Sequence, residues 1–217
     1  MRVCIGLPTR NEVQNIEAMV KRIRKACPGK DVIIFDEHSD DGTLDIAKNL
    51  KVPVVQRKYS GYGAGILSAI EYTYNHNYDV LAVLDCDQTY PPEDLPKLLE
   101  HMGSYDFVTG ARDLRCIHPK LHRLPNMFHT GLANFLFGSR LRDINSGMWA
   151  LRPSRFVGKL KSFDMTFTVE LYTRAVKNSY RIKHVTVGYD KRVGDSKIRV
   201  KDGFNIAWRI ISERLKP

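Results

Sequence analysis

Short apolar runs alternate with helix-like segments over the first hundred residues. Between the runs, apolar residues recur at the three- and four-residue spacing of one helix face, as in Ile16, Met19, Val20 and Ile23. Asn11 is a candidate cap for that helix. The predicted strands are 2–7, 31–35, 52–56 and 80–85, and the predicted helices end near Cys27, Leu50, Tyr74 and Met102. This alternation predicts an α/β fold with a mostly parallel central sheet, flanked by helices and joined by right-handed crossovers.

The pattern changes after residue 110. A loop rich in Arg, Lys and His (112–123) precedes an amphipathic segment, and a second basic loop (191–201) precedes the last one. The later predicted elements are helices at 124–137, 168–177 and 202–215, a loop and strand within 143–151, and a strand at 181–189. The apolar stripes of the first and last helices are typical of core packing, with contact to a membrane surface as the alternative.

Two acids, Asp85 and Asp87, directly follow the buried run 80–84. In open α/β sheets, ligands bind just beyond the carboxyl ends of strands. Two carboxylates there suit a divalent cation, which would in turn hold a diphosphate. The alternative is that Asp85 caps a turn and Asp87 is solvated, because so short a motif often occurs by chance. Pro91 and Pro92 suit the first turn of the following helix.

Composition indicates one ordinary globular domain, with 217 residues, 43% hydrophobic and 27% charged. The formal charge is +10, and the segment 174–217, with twelve Lys or Arg and four Asp or Glu, carries +8 of it. This asymmetry favours an anionic partner: nucleic acid, a phosphorylated substrate or an acidic membrane. Four scattered cysteines, no visible signal peptide and no membrane-spanning run predict a protein of a reducing, intracellular compartment.

Six motifs occur in an order and spacing that match a known family. They are Pro8-Thr-Arg-Asn-Glu12, Asp36-Glu-His-Ser-Asp-Asp-Gly-Thr43, Asp85-Cys-Asp87 with Pro91-Pro-Glu93, Gly110-Ala-Arg112, Ser146-Gly147 and Arg192-Val-Gly-Asp-Ser-Lys197. Together they resemble inverting family-2 glycosyltransferases of the GT-A fold. The resemblance is closest to the dolichol- or polyprenol-phosphate mannose synthases and their glucosyl relatives, and it covers nearly the whole chain.

The resemblance implies transfer of mannose or glucose from GDP-mannose or UDP-glucose to a polyprenyl phosphate, with Mg²⁺ or Mn²⁺ as cofactor. It implies catalytic roles for Asp87, Arg112 and Arg192, and metal binding by Asp85, Asp87 and Thr89. Acceptor-phosphate binding is expected of Arg123, Arg192 and Lys197. The expected nucleotide-sugar contacts are Pro8, Thr9, Asn11, Glu12, Asp36, Glu37, Gly63, Asp85 and Cys86.

One motif departs from the family pattern, because Glu37 and His38 replace an Asp and a Gly. The larger side chains bear on the base or ribose pocket, so the choice between GDP and UDP stays open. Taken singly, basic residues such as Arg112 or Lys197 are typical of solvated surface charge. Glycines 61, 63 and 65 match no dinucleotide or Walker fingerprint and suit a tight turn.

The expected organisation is a single GT-A catalytic domain over 1–217. Within it, 1–110 would bind the nucleotide sugar, 111–200 the acceptor, and 201–217 would form an amphipathic helix. We expect a peripheral protein at the cytoplasmic face of a membrane, with a membrane-anchoring subunit as a candidate partner and no nucleic acid. Two alternatives stay open, a family-2 enzyme with a glycan or protein acceptor and a non-catalytic basic binding module.

Overall fold

The computed structural model describes residues 1–113, 123–194 and 200–216. Within these ranges the strands are β1 (Val3–Thr9), β2 (Asp31–Asp36), β3 (Val54–Gln56), β4 (Val80–Val83), β5 (Phe107–Arg112), β6 (Trp149–Leu151) and β7 (Ile182–Val187). The α-helices there are α1 (Ile16–Ala26), α2 (Thr43–Asn49), α3 (Tyr62–Asn75), α4 (Leu95–Leu99), α5 (Arg123–Phe137), α6 (Pro153–Phe156), α7 (Phe167–Lys177) and α8 (Val200–Leu215). Short 3₁₀ turns, Pro92–Asp94 and Glu100–Gly103, flank α4.

The seven strands form one sheet in the order β3-β2-β1-β4-β6-β5-β7. All neighbouring pairs are parallel except the two that involve β6, which runs antiparallel to β4 and to β5. The predicted α/β architecture with a mostly parallel sheet is therefore confirmed. The reversed strand was not predicted.

The direction of β6 brings distant parts of the chain together. Val83 at the end of β4 pairs with Trp149 at the start of β6. Because the strands are antiparallel, the residues that precede Trp149 lie beside those that follow Val83. The segment 143–148 therefore reaches the same edge of the sheet as Asp85 and Asp87.

Helices cover both faces of the sheet, as the alternation of side chains along β4 shows. Val80, Ala82 and Leu84 face the core formed with α1 and α4, whereas Leu81 and Val83 face the core formed with α3 and α7. All five are fully buried. Burial on both faces explains why this stretch reads as a continuous apolar run rather than an alternating one.

Two local predictions were wrong. The helix predicted to run from Pro92 to Met102 is a short α4 between 3₁₀ turns, because Pro96 lacks the N–H that would bond back to Pro92. Asn11 does not cap α1. It has a φ of +53° and its side-chain amide donates to Asp40, while α1 begins only at Ile16.

The C-terminal helix α8 packs against α5 and α7. None of the helices within the described ranges combines the length and apolarity that a bilayer-spanning segment requires.

Candidate active site at the carboxyl end of β4

The first carboxylate after β4, Asp85, is enclosed by the fold. The α-carbon of Gly147 lies so close that a β-carbon there would meet the Asp85 carboxylate. Burial, with a contribution from the like charge of Asp87, raises the pKa of Asp85 to about 7. The charges of Arg192 and Arg112 and a hydrogen bond from Tyr62 act in the opposite direction on that pKa. A half-buried carboxylate beside a second one is a place where a cation is favourable.

The second carboxylate, Asp87, is fixed by the turn that follows it. The backbone N–H and the hydroxyl of Thr89 both donate to Oδ1 of Asp87, at 3.0 and 2.5 Å. Gln88, at the centre of this turn, has a φ of +64°. Oδ2 of Asp87 lies 2.5 Å from Nη1 of Arg192. The sequence led us to expect that the Thr89 hydroxyl contacts a metal. In the structure this hydroxyl donates to Asp87 and orients its carboxylate.

Cys86, between the two acids, points its side chain into the core. Its side chain is 3% exposed and packs in the core beneath α1 and α4. Any contact of Cys86 with a nucleotide sugar therefore falls to its backbone.

Arg112, at the end of β5, is held by a two-pronged ion pair. Its Nε and Nη2 donate to the two carboxylate oxygens of Asp143 at 2.6 and 2.9 Å, and Nη2 also donates to the carbonyl of Asn145 at 3.2 Å. The ring of Tyr189 lies 5.1 Å from the guanidinium carbon. Burial alone would raise the pKa of Asp143, but the charge and hydrogen bonds of Arg112, together with a hydrogen bond from Asn126, outweigh burial and lower that pKa.

Neighbouring groups in turn position Asp143, which is fully buried. The hydroxyl of Tyr172 donates to the Asp143 carbonyl at 2.8 Å, and the N–H of Asn145 donates to its Oδ1 at 3.1 Å. The Asn145 amide also donates to Oδ1 of Asn126 at 2.9 Å. Since a buried ion pair is favourable only with such supporting hydrogen bonds, this network fixes the direction of Arg112.

The ends of β1 and β2 form the next part of the edge. The carboxylate of Asp36, fully buried, accepts from the N–H and hydroxyl of Ser39, at 2.9 and 2.5 Å. The N–H of Asn11 donates to the Ser39 hydroxyl at 2.9 Å, and the N–H of Glu12 donates to the Thr43 hydroxyl at the same distance. These bonds bind the two loops to each other beside the sheet edge.

Glu37 connects this edge to α3. Its carboxylate pairs with Arg57 at 2.5 Å and Arg10 at 2.9 Å, and it accepts from Ser60 and the N–H of Gly61. Burial alone would raise the pKa of Glu37, but these donors and charges outweigh it and the pKa is lowered. The large residue that departs from the family motif thus has a structural partner in Arg57.

The glycines at the start of α3 permit close packing. A β-carbon on Gly61 or Gly63 would collide with the backbone carbonyls of Phe163 or Ser162. One on Gly65 would collide with the guanidinium of Arg57 and approach Pro8. Thr9 takes part through its backbone, since its carbonyl accepts from the N–H of Glu37 at 2.9 Å. Gly63 was expected to contact the nucleotide sugar. Its close packing against the Ser162 carbonyl already explains why a glycine is required there.

The structure therefore brings four of the expected site residues, Asp85, Asp87, Arg112 and Arg192, to one edge of the sheet. Lys197 and the loop 114–122 lie outside the described residues, as does the side chain of Arg123, with which α5 begins. The sequence did not indicate the supporting residues around the expected site residues. These are Tyr62, Gly147, Asp143, Arg57 and Tyr90, whose hydroxyl accepts from the N–H of Gly147 at 2.8 Å. Only Gly147 had a sequence signal, within the Ser146-Gly147 motif.

A cation suits this edge, because a guanidinium already lies on Asp87. No cluster of three His, Cys, Asp or Glu side chains arranged for a metal occurs in the part of the chain that the structure describes. Two carboxylates at one site match the one or two that Mg²⁺ commonly uses beside substrate phosphates.

Two characterised proteins are similar in sequence to nearly the whole chain. A dolichyl-phosphate hexose transferase of Haloferax volcanii is 30% identical over 199 residues, which cover 90% of this chain and 86% of that protein. An undecaprenyl-phosphate mannosyltransferase of Micrococcus luteus is 28% identical, over 91% of this chain and 88% of that protein.

The fold also occurs in a solved crystal structure. The crystal structure of glucosyl-3-phosphoglycerate synthase from Mycobacterium tuberculosis, with Mn²⁺, UDP and glucosyl-3-phosphoglycerate, superposes with a TM-score of 0.80 at 17% identity. The superposition covers 100% of this chain and 81% of that one, and it confirms the predicted GT-A-like fold. The family model described as glycosyl transferase family 2 matches residues 4–160. The chain therefore belongs to glycosyltransferase family 2.

Proposed function

We propose that this enzyme transfers a hexose, mannose or glucose, from a nucleoside-diphosphate sugar to a polyprenyl or dolichyl phosphate, with inversion at the anomeric carbon. The observation that carries the proposal is the convergence of two carboxylates, Asp85 and Asp87, with two arginines, Arg112 and Arg192, at one sheet edge. The names of the two sequence relatives, which are polyprenyl-phosphate sugar transferases, support the choice of acceptor.

The acids would hold Mg²⁺ or Mn²⁺ together with the donor diphosphate, and Thr89 would keep Asp87 in place. When bound, the divalent cation neutralises the negative charge that develops on the departing nucleoside diphosphate. Asp36, Glu12 and the β1 and β2 loops would line the nucleoside pocket. In this arrangement residues 1–110 bind the donor, and 111–200 bind the acceptor.

The acceptor chemistry fits the residues present. An oxygen of the acceptor phosphate, already anionic near neutral pH, attacks the anomeric carbon. The new carbon–oxygen bond forms as the bond to the diphosphate breaks, and the electron pair leaves with the diphosphate. No proton has to be removed, so a strong general base is not needed. Two anionic substrates must instead be brought together, which is a task for Arg112 and Arg192.

Exposed apolar side chains on two neighbouring helices, α5 and α8, suit a lipid-linked acceptor. On α5, Leu124, Phe128 and Phe135 are 65%, 61% and 84% exposed. On α8, Phe204, Trp208, Ile211 and Leu215 are 76%, 70%, 38% and 81% exposed. Each set follows the spacing of a single helix face, and His129 of α5 bonds the carbonyl of Gly203 in α8 at 3.0 Å. We call the exposed side chains of these seven residues the apolar surface.

We infer that the apolar surface rests on an anionic bilayer at the cytoplasmic face. Soluble monomers rarely expose so many large apolar side chains together. The net charge of +8 in residues 174–217 complements acidic lipid headgroups, while the aromatic rings suit the membrane interface.

The function is tested by incubating the enzyme with radiolabelled GDP-mannose or UDP-glucose and either polyprenyl phosphate or a free glycan. Mg²⁺, Mn²⁺ or EDTA is added to parallel samples. We expect label in the lipid product only, with one donor preferred, and none with EDTA. Label in the glycan would identify the other acceptor class. Absence of transfer from any donor, with affinity for nucleic acid instead, would favour the basic binding module.

The bilayer contact is tested by co-sedimentation with phosphatidylcholine vesicles that contain or lack phosphatidylglycerol. We expect binding to the anionic vesicles and a blue shift of Trp208 fluorescence, since the other tryptophan, Trp149, is already buried. F204S/W208S should abolish sedimentation, whereas Y74S, which removes an exposed aromatic ring from α3, should not. If the wild-type protein does not bind vesicles, an anchoring subunit would be favoured as the partner that covers the apolar surface.

A further inference from the structure

Arg192 occupies the only oxygen of Asp87 that the following turn leaves open. Oδ1 receives both donors of Thr89, and Oδ2 receives the guanidinium of Arg192 at 2.5 Å. The carboxylate of Asp87 is 6% exposed, so this guanidinium is its main compensating charge. A divalent cation that binds Oδ2 of Asp87 would compete with the guanidinium for this oxygen.

The backbone around Arg192 is tied to the acidic turn independently of that ion pair. The N–H of Val193 donates to the carbonyl of Asp87 at 3.1 Å, and the N–H of Asp190 donates to the carbonyl of Thr89 at 2.8 Å. The amide of Asn15 donates to the carbonyl of Val193 at 3.2 Å. With the backbone held on both sides of Arg192, displacement requires only a rotation of its side chain, which is 26% exposed.

We propose that Arg192 exchanges partners during substrate binding, leaving Asp87 for a substrate phosphate when the divalent cation arrives. This inference rests on the proposed function. It makes Arg192 a competitor of the metal in the free enzyme and a phosphate ligand in the loaded one. The metal alone binds weakly, because it must compete with the ion pair that Arg192 makes with Asp87. The metal with a nucleotide binds tightly, because the diphosphate receives the arginine.

This exchange predicts a coupling between metal and nucleotide. Each should raise the affinity of the other by the same factor, since coupling free energies are reciprocal. Couplings of this kind are roughly 5- to 150-fold. Part of any such coupling arises from direct contact between metal and diphosphate, so the metal affinity in the absence of nucleotide is the informative quantity.

The test is Mn²⁺ binding, followed by electron paramagnetic resonance of the free ion, with and without GDP or UDP. We expect R192Q to bind Mn²⁺ alone at least about fivefold more tightly than wild type, and to show a smaller gain from nucleotide. K191Q removes the same charge from the adjacent, exposed position and should resemble wild type. Circular dichroism melting confirms that each variant is folded.

The outcomes separate two failures. If wild type binds Mn²⁺ and nucleotide but R192Q binds Mn²⁺ alone no more tightly than K191Q, the exchange is wrong and the proposed function stands. If no variant binds Mn²⁺ or nucleotide, both the function and the exchange are wrong.

Discussion

Gly147 closes over the carboxylate of Asp85, with no room for a β-carbon between them. We predict that G147A displaces the acid and reduces sugar transfer on the order of 100-fold, the scale of a 1 Å misplacement in an active site. Initial rates at saturating donor would measure this.

The matched control is G131A in α5, where a β-carbon would meet nothing within 4 Å. It should keep full transfer activity and raise the unfolding free energy by up to about 1 kcal/mol through helix propensity. Equal activity of G147A and wild type would refute the assigned role of the Asp85 carboxylate.

Asp87 is predicted to be indispensable for transfer. D87A should reduce the rate by at least about 10³-fold, because metal-assisted charge stabilisation is worth several kcal/mol and each 1.4 kcal/mol is tenfold. The fold should survive, since Arg192 is partly exposed and can be solvated. D45A, which removes an exposed acid from the first turn of α2, is the control and should retain normal transfer. Undiminished transfer by D87A would exclude the metal-assisted mechanism.

Asp143 is predicted to be a stability determinant as well as the partner of Arg112. D143N leaves a mostly buried arginine without its countercharge, and breaking such a pair costs about 3–5 kcal/mol. Urea unfolding would measure the loss.

The comparison variant for Asp143 is D79N. Asp79 is 54% exposed and pairs with the N-terminus at 4.0 Å, so its loss should cost no more than about 1 kcal/mol. Similar losses in D143N and D79N would mean that the Asp143–Arg112 pair contributes little.

His184 on β7 gives the protein a predicted sensitivity to acid. Burial lowers the pKa of His184 to about 4, with a further contribution from Arg142, and the ring stacks on Tyr172. The unfolded chain therefore binds more protons between pH 6.5 and 4, so stability falls as the pH falls through that window. A shift of this size corresponds to about 3 kcal/mol, and we expect roughly 1–2 kcal/mol because the ring is only half-buried.

Unfolding of wild type and H184F from pH 7 to 4 would test this prediction. Phenylalanine keeps the stacking and cannot take up a proton. H184F should therefore lose less stability than wild type on acidification, and parallel curves for the two proteins would show that other groups determine the acid response.

The sequence predicted those members of the candidate site that have a local signature. Asp85 and Asp87 were predictable because a buried strand directly precedes them, and strand ends in parallel sheets converge on one edge. Arg112 followed from its motif. The fold class followed from the alternation of strands and helices alone, before any resemblance was used.

What could not be predicted depends on contacts between distant residues. The three residues of β6 are too few to show a period, so its reversed direction was invisible, and with it the approach of Gly147 to Asp85. The pairing of Glu37 with Arg57 joins residues 20 positions apart. The prediction for Asn11 was wrong because a polar residue after a strand can either cap a helix or bond to a neighbouring loop. The hydrogen bond from Asn11 to Asp40, 29 positions away, shows that it does the second.

The reversed strand β6 also bears on how the chain can be divided. β4 has β6 as its neighbour on one side, and β5 reaches the rest of the sheet only through β6. A fragment ending near residue 110 would carry β1 to β4 with one full row of backbone donors and acceptors open to solvent. Such an edge recruits other chains and leads to aggregation. Residues 1–110, the proposed donor-binding region, are therefore not expected to be a unit that can be expressed alone. During synthesis, Asp85 meets Gly147 and β4 meets β6 only after residue 151 has emerged.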